Sequence, residues 1–157
     1  MNLSRIVEHW AGMTPGKCAV HLHGMEVTYA QLWRRIEIAT ATLSVRHAVK
    51  EGERIAWLGL NHPDFIVFLM ALARLGAIAV PLNMRLATPE LVAILRQSGT
   101  RLLFRDEAFA DAGAAAARAE DEGRDGHGDD AGPGDLRQDQ RLGTVGGGFP
   151  PDGADDL

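Results

Sequence analysis

The chain has 157 residues, 46% hydrophobic and 24% charged, with a formal net charge of −5. That is one domain's length, and it is too apolar for wholesale disorder. One cysteine, Cys18, excludes an internal disulfide framework and a cysteine-rich zinc module, and the negative balance speaks against nucleic acid, whose phosphates require a basic face.

The charge is unevenly spread. Residues 1–110 hold 12 Lys/Arg and 9 Asp/Glu, net +3, and residues 111–157 hold 4 Arg and 12 Asp/Glu, net −8. The second segment also holds 11 of the 18 glycines. Leaving alanines aside, it offers only Leu136, Leu142, Val145, Phe149 and Leu157 as apolar residues. Such a stretch buries too little surface to offset the entropy of ordering it. The expectation is a folded region over 1–110 and a disordered, acidic, Gly-rich tail over 111–157.

Leu3 to Ala11 has the spacing of a short amphipathic helix, with Leu3, Ile6, Val7 and Trp10 on one side. The opening residues, with Arg5, Glu8 and His9 and no apolar run, do not resemble a secretory signal. Ala19–Leu22 and Glu26–Thr28 are short strands around a His23-Gly24 turn. Thr28 and Gln31 form a capping-box pair at the start of a helix that buries Leu32, Ile36, Ala39 and Leu43.

Glu51-Gly52-Glu53 is a turn. Arg54 to Leu60 lacks polar alternation, as a strand covered on both faces does. Pro63 opens a helix and Gly76 ends it, with His62 at the cap. Ala77–Leu82 is the next strand. Thr88-Pro89-Glu90 starts another helix, with Thr88 as the expected cap, and Gly99 ends it. Arg101–Arg105 is a third buried strand. The apolar run Phe65–Leu82 is long enough for a membrane span. However, Arg74, Gly76, Pro81 and a midway change of period favour a helix followed by a strand. Alternating strands and helices with short connections predict a parallel sheet, the core of a doubly wound α/β fold.

Several segments resemble one family when taken together. Val27-Thr28-Tyr29-Ala30-Gln31-Leu32 resembles the "TYxEL" segment of AMP-forming acyl-CoA synthetases, and Gly52-Glu53-Arg54-Ile55-Ala56 their "GDRVA". Asn61, Phe65 and Ala71–Ala77 resemble the block ending in "GA". Val80-Pro81-Leu82-Asn83-Met84-Arg85-Leu86 resembles "VPLNPRL", with Met84 where Pro is usual. Glu90-Leu91, Ile94-Leu95, Ser98-Gly99 and Leu102–Phe104 resemble the segment that follows. The likeness covers about residues 3–107 in order and implies the N-terminal part of the large domain of an adenylate-forming enzyme.

It also implies a reaction. ATP and a carboxylate give an acyl-adenylate and pyrophosphate, and CoA thiolate then displaces AMP. The full-length family therefore takes ATP, Mg²⁺, CoA and a carboxylic acid. Its Pro-Lys-Gly phosphate loop, aromatic-Gly-x-Thr-Glu, Thr-Gly-Asp and late-lysine segments are not present in these 157 residues. Gly146-Gly147-Gly148 is followed by Phe149-Pro150 rather than Lys and Ser/Thr, so it is not a phosphate loop. The last residues, Gly153–Leu157, resemble the "DDLA" that precedes that loop. Residues 120–148 have the composition of a GC-rich gene read out of frame. The expectation is an N-terminal synthetase fragment that has no catalytic activity, cofactor or metal of its own. A non-catalytic interaction module and one chain of a split enzyme completed by a complementary chain are the alternatives. No membrane anchor is seen, so the expected location is cytoplasmic. The resemblance leaves fatty, aromatic and short-chain acids all open.

Asn83 and Arg85 are the site candidates, because the resemblance puts their segment near the active-site side. A structural role for both residues, in holding the loop after the strand, stands beside that reading. Other features take plainer expectations. His21 and His23 share a strand face without a third ligand, and Cys18 beside Lys17 is expected to be partly buried. Trp33, Arg34 and Arg35 make a poor nucleic-acid patch, and the arginines are expected on the wet side of their helix. Asp129-Asp130 and Asp155-Asp156 are expected to be solvated charges.

Overall fold

A computed structural model describes residues 2–125 and 142–146. In chain order the elements are α1 (Ser4–Met13), β1 (Cys18–Leu22), β2 (Met25–Thr28), α2 (Tyr29–Val45), β3 (Arg54–Leu58), α3 (Pro63–Leu75), β4 (Ile78–Pro81), α4 (Thr88–Ser98), β5 (Leu102–Arg105), a 3-10 turn (Glu107–Phe109), α5 (Ala110–Asp125) and β6 (Gly143–Gly146). They form two compact units. One takes its described residues from the stretch up to Glu53 and from Asn61–Ile78, the other from Arg54–Leu60 and Ala79 onward.

In the first unit β1 and β2 pair antiparallel, with His21 opposite Glu26 and Leu22 opposite Met25. His23 and Gly24 both carry positive φ, 48° and 82°, as the tightest hairpin turn requires. Only His21 therefore lies on the strand; His23 belongs to the turn. Helix α2 begins with the full capping box: the Gln31 N–H donates to Thr28 Oγ1 at 3.3 Å, and the Thr28 N–H donates to Gln31 Oε1 at 2.9 Å. Leu32, Ile36, Ala39 and Leu43 are buried, and α2 packs along α3. His62 caps α3, its Nδ1 accepting the Asp64 N–H at 3.3 Å. Gly76 ends α3 in the left-handed region at φ 69°. A side chain there would be strained and would also lie 2.9 Å from Glu51 Cγ.

Several expectations fail in this unit. In α1 the buried line is Ser4 and Val7, whereas Leu3, Ile6 and Trp10 are 51%, 52% and 41% exposed. The buried side thus lies part of a turn away from the apolar stripe. Cys18 is exposed, because the strand start that carries it is uncovered. Arg34 is exposed, but Arg35 is buried and forms an ion pair with Asp64 in the first turn of α3. Both side chains of that pair are nearly out of solvent, 11% and 13% exposed. Trp33 is half-buried under the Arg74 guanidinium, 4.6 Å from its ring centroid.

The second unit is built on a sheet in the order β4-β3-β5-β6. β3 pairs parallel with β5, Ile55 opposite Leu102 through Leu58 opposite Arg105, and β5 pairs parallel with β6. Ile55, Ala56, Trp57 and Leu58 are all buried, so both faces of β3 are covered, as its unbroken apolar run requires. Ala56, Leu58, Leu91, Val92, Leu95, Leu103, Ala116, Ala117 and Leu142 form one core under α4 and α5. Thr88 does not cap α4. Ala87 holds the cap position without a capping side chain, and its N–H donates to Glu90 Oε2 at 2.8 Å. The helix starts one residue early, leaving Thr88 and Pro89 inside its first turn.

The parallel α/β sheet is the one expected, but the fold does not stop at Ala110. Helix α5 packs on α4, where Arg96 Nη2 donates to the Ala119 carbonyl at 2.6 Å. Composition placed 111–157 outside the fold because alanines were set aside. Ala116 and Ala117 are nevertheless buried, and alanine is the strongest helix former. Leu142 is likewise buried in the core, and β6 pairs with β5 in the sheet. The remainder of the tail, with Asp129-Asp130, Gly153–Leu157 and most of the out-of-frame stretch, lies outside the described residues.

The Arg35–Asp64 pair gives a stability test. Asp64→Ala leaves a buried guanidinium without its partner and is expected to cost about 3–5 kcal/mol. Replacing both residues, Arg35→Met with Asp64→Leu, is expected to recover most of that loss. Urea titrations of the three chains check it; a double variant no more stable than the single one would show that the pair is not the cause.

Candidate active-site edge of the parallel sheet

In an open parallel sheet, ligands bind outside the carboxyl ends of the strands, where the strand order reverses. Here the chain steps from β3 to β4 on one side and from β5 to β6 on the other. The reversal therefore lies between the carboxyl ends of β3 and β5, at Gly59-Leu60 and Asp106.

Asp106 bridges that point. Its backbone N–H donates to the Leu58 carbonyl at 3.0 Å, continuing the β3–β5 ladder. Its Oδ2 accepts the Leu60 N–H at 2.7 Å. Gly59 permits the approach: a Cβ there would lie 2.6 Å from Asp106 Cγ and 2.8 Å from Trp57 Nε1. Sequence reasoning missed both Gly59 and Asp106. The available signal was a carboxylate directly after a buried strand, in Phe104-Arg105-Asp106.

The two sequence candidates follow β4, the neighbouring edge strand. Asn83 Oδ1 accepts the Arg85 N–H at 3.0 Å, and its carbonyl accepts the Leu86 N–H at 3.1 Å. The Asn83 side chain thus mimics a backbone turn. Arg85 is exposed. The turn sets the two residues together at the carboxyl edge, Asn83 shaping the loop and Arg85 offering a guanidinium to solvent.

Arg105 ends β5 beside this edge. A Cβ at Gly113 of α5 would lie 2.6 Å from its Cδ, so the missing side chain makes room for the arginine stem. Arg105 Nε and Nη1 are buried without a hydrogen-bond partner, and Nη1 lies 4.0 Å from Glu107 Oε2. Among the described residues no three His, Cys, Asp or Glu side chains gather as metal ligands. No helix among them is long and apolar enough to cross a membrane.

The profile of the AMP-binding enzymes matches residues 7–141. The chain belongs to this family. It is 42% identical over 108 residues to a feruloyl-CoA synthase from an Amycolatopsis species, covering 68% of this chain and 22% of that protein. It is 37% identical over 109 residues to an indoleacetate–CoA ligase from Aromatoleum aromaticum, covering 69% and 21%. The chain therefore spans about a fifth of the length of these curated relatives. Its fold matches the crystallised N-terminal domain of FACL13 from Mycobacterium tuberculosis, with TM-score 0.73, 26% identity, and 93% of this chain and 34% of that one covered. The AMP-binding match begins within α1 and runs past α5, which agrees with α5 being part of the fold.

Two substitutions test this edge. Gly59→Ala must displace the Asp106 carboxylate and is expected to cost about 1–3 kcal/mol, with faster amide exchange at Leu60; unchanged exchange would show that Asp106 does not hold the loop. Arg105→Met keeps the packed stem and removes a poorly paired buried charge, so thermal unfolding is expected to show a gain of roughly 1 kcal/mol.

Proposed function

We propose that this chain is the N-terminal part of an AMP-forming carboxylate–CoA ligase and supplies a scaffold rather than the reacting groups. The family match over residues 7–141 carries this reading. In the complete enzyme, ATP and a carboxylic acid would give an acyl-adenylate and pyrophosphate, and CoA would take the acyl group.

Among the described residues the Asp106 carboxylate is engaged in accepting the Leu60 N–H, and no step of the reaction is assigned to it. Asn83 and Arg85 are proposed to sit on the active-site side of the full domain, Asn83 fixing the turn and Arg85 presenting its charge to an anionic group of a ligand. Their place at the carboxyl edge of the sheet supports this. Arginine suits the task because its planar fork matches phosphate and carboxylate oxygens.

The acid is left open for a physical reason. Two relatives with different acids in their names match this region with 42% and 37% identity. A segment common to both is a poor place for the acyl pocket.

Pyrophosphate exchange tests the first part. The purified 157-residue chain with ATP, Mg²⁺ and a panel of aromatic and fatty acids is expected to give no exchange above blank; exchange would overturn the scaffold reading. A chimera tests the second. Residues 3–107 placed in the matching region of the feruloyl-CoA synthase are expected to support ligation. In that chimera Arg85→Ala is expected to raise KM for ATP or CoA about tenfold with kcat little changed, and unchanged KM values would remove Arg85 from the site.

A further inference from the structure

We draw no further inference here: the strongest candidate, the exposed apolar stripe that Leu3, Ile6, Trp10 and Met13 form along α1, carries nothing because nothing in the structure shows what covers it.

Discussion

Parallel pairing of β3 with β5 is the constraint on which the second unit depends. Two parallel neighbours cannot be joined by a tight turn, so the chain must leave the sheet and return from its far end. Between Leu58 and Leu102 it does this twice, forming β4 on the way. The route brings the carboxyl ends of β3, β4 and β5 to one edge. It also fixes what stands there: Gly59 and Leu60, the Asn83 turn, and Asp106. The chemistry available at the edge follows from topology before any side chain is chosen.

The first unit holds its helices together differently. Apolar side chains of α2 and α3 supply the non-directional part of the packing. Arg35 and Asp64 add a directional contact between the same helices. Buried charges of this kind contribute little net stability, because desolvation offsets most of their attraction. Their effect is asymmetric, since losing one partner leaves the other's charge buried without it. Asp64 has a second role in the first turn of α3, where its charge faces the positive end of the helix dipole. His62 beside it accepts the Asp64 N–H and so ties the cap to the same carboxylate-bearing residue.

The features legible in the sequence were those determined by near neighbours. The Thr28–Gln31 box, Pro63 with its His62 cap, the Gly76 stop and the unbroken apolar run of β3 each need only a few adjacent residues to be recognised. The missed features needed a distant partner. Arg35 looks like a wet arginine until Asp64, 29 residues later, is brought beside it. Asp106 looks like a loop carboxylate until β5 is laid against β3 and the Leu60 N–H comes within reach. Helix α5 was lost for another reason: discounting alanine as core material discards a strong helix former small enough to let a helix lie close to its neighbour. At the candidate site, Asn83 and Arg85 were legible only as a pair following a strand, on the active-site side by resemblance or holding the loop. Their position relative to the strand reversal was not.

The arrangement also bears on where reactivity can reside in such a domain. A carboxylate at the strand reversal of a parallel sheet is well placed to meet a ligand, yet Asp106 holds the backbone of its own neighbouring loop. Gly59 is small so that this contact can form, which indicates that the loop's shape matters more here than an open crevice. Asn83 does similar work one strand over, using a side-chain oxygen to set the turn that carries Arg85. Asp106 and Asn83 therefore serve backbone geometry first, whereas Arg85 extends its charge into solvent. An edge built this way is suited to fixing the position of loops.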